Sequence, residues 1–181
     1  MCLCSCSVIP ISSFLFFLYR YHFEYDNQMR KSIDHMTFQS DRVQIRKIFA
    51  DYKIPPDEQN DIINLLHDLS KNCQILAIYL FGSYARNEPK PYSDIDIAVI
   101  TRMTDPPRDL KEIIGSYSSK KLDVQVFADL PLSAQMQVLA QGVPLYIRNE
   151  DSLWSVIKSV SLSFMDLEPM RNRCRERLLG V

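Results

Sequence analysis

Apolar residues recur at helical spacing in two stretches before residue 70. The first stretch begins near Ser40, which can cap a helix, and it ends before Pro55. The second begins at Asp57 or Glu58, and its spacing predicts a buried stripe made of Ile62, Ile63, Leu65, Leu66 and Leu69. Two amphipathic helices are therefore predicted ahead of the first strand.

Further along the chain, apolar stretches of strand length predict a sheet. They occupy 75–81 (ILAIYLF), 95–100 (IDIAVI) and 122–127 (LDVQVF), with a shorter fourth stretch at 143–147. Helices are predicted from Pro106-Pro107 to about Tyr117, from Pro131 and Leu132 to about Gln141 with Gly142 as the candidate C-cap, and from Asp151 or Ser152 to about Leu178. This alternation of strands and helices predicts an α/β fold.

Acidic residues lie at the starts of two predicted strands. Asp94 and Asp96 are two residues apart, a spacing that directs both side chains to one face of a strand. Asp123 lies in the next predicted strand, where a carboxylate among apolar residues is costly unless it has a partner. Carboxylate oxygens are the ligands that Mg²⁺ prefers. All three residues are therefore candidate metal ligands and catalytic residues, and Asp123 is also a candidate general base.

The turn after the first predicted strand carries residues suited to binding a phosphate. Gly82 lets the backbone approach an anion closely, and Ser83 adds a hydroxyl donor. Arg86 and Lys90 could neutralise phosphate charge, although a solvated loop charge explains each of them equally well. We predict that Gly82, Ser83 and Arg86 bind a nucleotide next to the carboxylates.

Composition narrows the classes of partner. The 181 residues are 46% hydrophobic and 24% charged, with a formal net charge of −1, as in a globular protein without a global basic field. We therefore expect neither direct nucleic-acid binding nor a membrane partner. The 5 cysteines, three of them crowded into residues 2–6, form no readable disulfide framework. They favour a reducing compartment such as the cytoplasm.

The N-terminal stretch differs from the rest of the chain. Residues 8–19 are apolar, but they contain Pro10 and are fewer than the ~20 residues that cross a bilayer. We expect residues 1–39 to form an extension outside the folded domain. A true start at Met29 or Met36 would explain it, and a short membrane-surface anchor is the alternative. Residues 40–150 are then the predicted catalytic domain, followed by a C-terminal helical segment at 151–181.

The run LFGSYARNEPKPYSDIDIAVI, with LDVQVF downstream, resembles the DNA-polymerase-β-like nucleotidyltransferase superfamily. More closely, it resembles the minimal nucleotidyltransferase (MNT) group. The resemblance implies a polymerase-β-like fold, with a small mixed sheet flanked by helices and a long C-terminal helix. It also implies an active site made of Gly82, Ser83, Asp94, Asp96 and Asp123. The family often has glycine where this chain has Asn87, and asparagine tolerates the left-handed conformation better than most residues.

The C-terminal stretch SLSFMDLEPMRNRCRERLL resembles the last helix of MNT antitoxins that pair with HEPN-domain toxins. The resemblance implies a Mg²⁺-dependent enzyme that transfers AMP from ATP to a tyrosine of a HEPN ribonuclease toxin. Two alternatives stay open. One is nucleotidyl transfer to a small molecule such as an aminoglycoside, and the other is toxin neutralisation by binding without catalysis. The sequence is compatible with homo- and hetero-oligomers.

Overall fold

The computed structural model of the protein describes residues 38–179, so most of the predicted extension at 1–39 lies outside the described residues. In chain order the elements are α1 (Phe38–Asp51), α2 (Pro56–Leu69), β1 (Ile75–Phe81), α3 (Gly82–Ala85), β2 (Ile95–Thr101), α4 (Arg108–Gly115), β3 (Leu122–Val126), α5 (Leu132–Gln141), β4 (Val143–Ile147) and α6 (Glu150–Leu179). A 3-10 turn, Phe127–Asp129, follows β3. The chain divides into two compact units between Arg46 and Lys47, and the site lies in the second unit.

The four strands form one mixed sheet in the order β3-β2-β1-β4. Strand β1 runs antiparallel to β2 and β4, whereas β2 and β3 are parallel. A parallel pair needs a crossover connection, which α4 supplies between β2 and β3. The predicted α/β class, with a mixed sheet and a long C-terminal helix, is confirmed.

Burial explains why the central strands are so apolar. Six of the seven residues of β1 are buried, and all of β2 except Asp96 is buried, so both faces of these strands are covered. In α2 the predicted stripe is confirmed at Ile62, Leu65, Leu66 and Leu69, whereas Ile63 is only half-buried. No helix in the described part of the chain combines the length and apolarity needed to cross a membrane.

The predicted C-cap of α5 is confirmed, whereas the predicted N-cap of α6 is wrong. Gly142 is the C-cap of α5, but its φ of −70° is not left-handed. Glycine is required there because a Cβ would overlap the Val138 carbonyl oxygen and lie 3.1 Å from Tyr79 Cδ1. Helix α6 is capped by Asn149 rather than by Asp151 or Ser152, since Asn149 Oδ1 accepts a hydrogen bond from the Ser152 backbone N–H at 2.7 Å.

Candidate active site

The candidate residues lie together at one end of the strands, where β1 ends and where β2 and β3 begin. The antiparallel register places Phe81, the last residue of β1, opposite Asp96. The parallel register places Asp96 directly opposite Asp123. Two carboxylates on adjacent strands therefore share one face of the sheet. Asp94 comes immediately before β2 and is exposed, whereas Asp96 and Asp123 are half-buried.

Gly82 follows β1 and is held against this carboxylate pair. Its φ is +73°, a left-handed conformation that favours glycine. A Cβ at this position would overlap Asp96 Oδ2 and lie 3.0 Å from Asp96 Cγ. Glycine is therefore required twice, by the backbone conformation and by the close approach of the carboxylate. The Gly-Ser and Asp-x-Asp motifs, separate in sequence, are in direct contact here.

The electrostatics of Asp96 show how close the other charges are. Burial raises the pKa of Asp96 from 3.8 to about 6, helped by the negative charges of Asp123 and Asp94 and opposed by the positive charge of Arg86. A carboxyl whose pKa is raised by burial and by like charges is typical of functional sites. The structure thus brings Asp94, Asp123 and Arg86 within electrostatic reach of Asp96.

The loop that joins the two motifs is held by local contacts. Lys90 and Ser93 close a turn, in which the Ser93 N–H donates to Lys90 O at 2.9 Å and the Lys90 N–H donates to Ser93 Oγ at 2.9 Å. Asn87 has a φ of +58°, which confirms that it adopts the left-handed conformation. Ser83 is the second residue of the single helical turn α3, and its carbonyl accepts a hydrogen bond from the Glu88 N–H at 3.0 Å.

Gln125 is a site residue that the sequence analysis did not single out. Its side-chain Nε2 donates a hydrogen bond to Asp123 Oδ2. The neutral amide of Gln125 therefore supplies one of the hydrogen-bond partners that the half-buried Asp123 carboxylate needs. The signal was present in LDVQVF, because residues two apart on a strand share a face and Gln125 is the other polar residue within that strand.

The donor set fits a hard divalent cation. Within residues 38–179, no three carboxylate, histidine or cysteine side chains already converge into a ready-made metal site. Asp94, Asp96 and Asp123 nevertheless offer the oxygen ligands that Mg²⁺ prefers, and their mutual repulsion is what a cation would relieve. Their roles as ligands and catalytic groups stay predictions.

A pair of opposed carboxylates beside a glycine turn is the arrangement expected of a nucleotidyltransferase, and the comparison with known proteins shows that class. The family described as "Polymerase beta, Nucleotidyltransferase" matches residues 60–151, about half of the chain. The chain belongs to this family. The resemblance seen in the motifs is thereby confirmed.

Named relatives narrow the similarity further. The chain is 34% identical over 112 residues to protein adenylyltransferase MntA of Shewanella oneidensis, covering 58% of this chain and 76% of that protein. A Methanocaldococcus jannaschii relative, whose name places it among the protein adenylyltransferases, is 38% identical over 68 residues. That match covers 36% of this chain and 51% of the relative, so the chain spans about half of its length.

A solved structure shares the fold. A chain from a crystal structure of a toxin–antitoxin with AMP-PNP is 28% identical, with a TM-score of 0.51. The similarity covers 66% of this chain and 97% of that chain. Nearly all of that solved chain therefore has a counterpart in this protein.

Proposed function

We propose that this chain is a cytoplasmic antitoxin that transfers AMP from ATP to a tyrosine of a HEPN ribonuclease toxin. One observation carries the proposal: Asp96 and Asp123 lie opposite each other on β2 and β3, against the left-handed turn at Gly82. The Shewanella relative is by name a protein adenylyltransferase, and the similar solved chain comes from a toxin–antitoxin structure with an ATP analogue. The HEPN partner follows from the resemblance of the C-terminal stretch.

The proposed reaction is a displacement at the α-phosphate of ATP. The tyrosine oxygen attacks the α-phosphorus and forms a new P–O bond. The bond from that phosphorus to the oxygen bridging the β-phosphate breaks, and pyrophosphate leaves. Asp123 accepts the hydroxyl proton as general base, which suits a half-buried carboxylate at the edge of the sheet. Gly82 and Ser83 bind the triphosphate, and Arg86 adds positive charge beside it.

Phosphoryl-type transfer depends mostly on positioning and charge neutralisation. Asp94, Asp96 and Asp123 would hold Mg²⁺, which would supply positive charge to neutralise the triphosphate. The fold restrains two of these carboxylates, which supports the proposal: Asp96 lies on its strand beside the Gly82 turn, and Asp123 lies on its strand and accepts a hydrogen bond from Gln125.

Mass spectrometry of the toxin tests the proposal. The purified chain, ATP and Mg²⁺ are incubated with a small all-helical protein that carries an Arg-x₄-His motif and is encoded beside this chain. We expect AMP on a tyrosine of that protein and loss of its ribonuclease activity. Asp96→Asn should lower the rate of AMP transfer by more than about 100-fold, because metal-site partners one shell further out already contribute 10–100-fold.

The matched control is Asp61→Asn, which removes the same charge from an exposed position on α2. It should retain the wild-type rate. An unmodified toxin with the wild-type chain would contradict the proposal. Toxin neutralisation that survives the double variant Asp94→Asn and Asp96→Asn would instead support an antitoxin that acts by binding alone. Transfer of AMP to an antibiotic hydroxyl, with the toxin left unmodified, would support the small-molecule alternative.

A further inference from the structure

Gln125 sits on strand β3 in a position to control the Asp123 carboxylate. In β3, Leu122, Val124 and Val126 are buried, whereas Asp123 and Gln125 share the opposite, half-buried face. Strand β3 is at the edge of the sheet, and Gln125 pairs in register with Ala98 of β2. A small residue opposite Gln125 leaves its side chain free to fold back along β3, where Nε2 donates to Asp123 Oδ2.

A donor at this position meets a specific need of the site. Asp123 lies opposite Asp96, and the two negative charges repel, so a carboxylate without a hydrogen-bond partner would tend to rotate away. The Gln125 amide holds one oxygen, Oδ2, and leaves Oδ1 available. Because the amide is neutral, it orients the carboxylate without cancelling the negative charge that the site needs for a cation or a proton.

We propose that Gln125 is a positioning residue, which orients Asp123 through this hydrogen bond for AMP transfer and for Mg²⁺ binding. The inference rests on the proposed function, since it assigns Gln125 a role in that same site. Partners of metal ligands commonly orient the ligating groups, and their removal typically costs 10–100-fold in metal affinity or activity. Gln125 would have that relation to Asp123 without touching the substrate.

The variant Gln125→Met tests the proposal, because methionine keeps the length of the side chain but cannot donate. We expect kcat for AMP transfer to fall about tenfold. The KM for ATP at saturating Mg²⁺ should change less than about threefold, and the Mg²⁺ concentration at half-maximal rate should rise about tenfold. A purely structural role would not move the Mg²⁺ dependence.

Gln59→Met is the matched control. Gln59 is also half-buried, and its Nε2 donates to the Ile54 carbonyl at 2.8 Å, next to the start of α2. Both variants therefore lose one hydrogen bond from a glutamine amide. Thermal unfolding should show a similar shift for the two variants, whereas the Mg²⁺ dependence should change only in Gln125→Met. Equal Mg²⁺ dependence for the two variants and the wild type would overturn the proposal.

A measurement without turnover separates this inference from the proposed function. Calorimetric titration with a non-hydrolysable ATP analogue, at several Mg²⁺ concentrations, should show weaker Mg²⁺-dependent binding for Gln125→Met than for Gln59→Met. If the wild type binds the analogue with this dependence on Gln125 but never modifies the toxin, the proposed function fails and the role of Gln125 in metal binding stands. If the wild type modifies the toxin and Gln125→Met matches it throughout, only the role of Gln125 fails. A wild type that binds no Mg²⁺–nucleotide would overturn both.

Discussion

The two ends of strand β1 differ in how the charges of their side chains are compensated. At its beginning, backbone carbonyls satisfy the Arg148 guanidinium: Nε donates to Ile75 O at 2.8 Å, and Nη2 donates to Asn72 O at 3.0 Å and to Ser70 O. The guanidinium also lies 5.7 Å from the centre of the Tyr146 ring. A cation with several acceptors stabilises the fold, since a hydrogen bond to a charged group contributes about 1.5–3 kcal/mol.

At the other end of β1, negative charges are gathered with less compensation. Asp96 lies opposite Asp123, Asp94 is close by, and the charge of Arg86 only partly opposes them. Folding gains nothing from carboxylates that repel one another in a half-buried place. We therefore expect Arg148 to serve stability and the carboxylates to serve function, because sites that oppose the rules of folding are commonly functional.

Removing the cation at the beginning of β1 should have the largest effect on stability. We expect Arg148→Met to lower the free energy of unfolding by about 2–4 kcal/mol, because three carbonyls lose a charged donor at once. Denaturant unfolding measures this, with the exposed Arg102→Met as a control expected to change stability by less than about 0.5 kcal/mol. Below the unfolding transition, AMP transfer should be unaffected. A variant as stable as the wild type would remove the contrast between the two ends.

The turn at the functional end should be the next most sensitive position. Gly82→Ala forces a side chain into a left-handed conformation and against Asp96 Oδ2, so we expect a loss of about 1–3 kcal/mol in stability and a sharp loss of activity. In an Asp96→Ala background the overlap disappears, and the stability cost of Gly82→Ala should shrink. Gly115→Ala is the control, since nothing lies within 4 Å of a Cβ at that position. Equal losses of stability from Gly82→Ala in both backgrounds would show that the Asp96 side chain does not contact the turn.

The smallest expected effect is a gain in stability. The pKa of Asp96 is raised from 3.8 to about 6 in the folded protein, mainly by burial. The folded state therefore binds more protons than the unfolded state between about pH 4 and 6, and wild-type stability falls as the pH rises through that window. Because Asp96 is partly exposed to solvent, we reduce the corresponding free energy to about 1–2 kcal/mol.

Asparagine cannot ionise, so Asp96→Asn does not lose stability as the pH rises. Near pH 7 the variant should be more stable than the wild type by about 1–2 kcal/mol, and the difference should vanish below about pH 4. Unfolding in EDTA across that pH range measures it, with the exposed Asp109→Asn as a control. A variant that is both inactive and more stable would sharpen the contrast between the two ends of β1. A variant less stable than the wild type at neutral pH would argue that Asp96 supports the fold.

Several parts of the molecule could be predicted from local sequence. The apolar stretch 75–81 coincides with β1, because a buried strand needs an almost unbroken apolar sequence. The short stretch 143–147 coincides with β4, in which only Leu145 is buried. Asn87 could also be predicted, since its conformation depends on its own side chain. The cap of α6 could not be assigned correctly, because Asn149, Asp151 and Ser152 are all good capping residues.

The sequence by itself determined which residues could form the site: the glycine turn after a buried strand, the two aspartates at the start of the next strand, and the lone aspartate in the third. Only the tertiary structure decided that they meet. Asp123 comes opposite Asp96 through the parallel register of β2 and β3, and a shift of one residue would send it to the other face. The contacts of Gln125 with Asp123, and of Arg148 with the start of β1, likewise depend on how the folded chain arranges its side chains. Local hydrophobic patterns do not specify such arrangements, because several registers bury similar apolar surface.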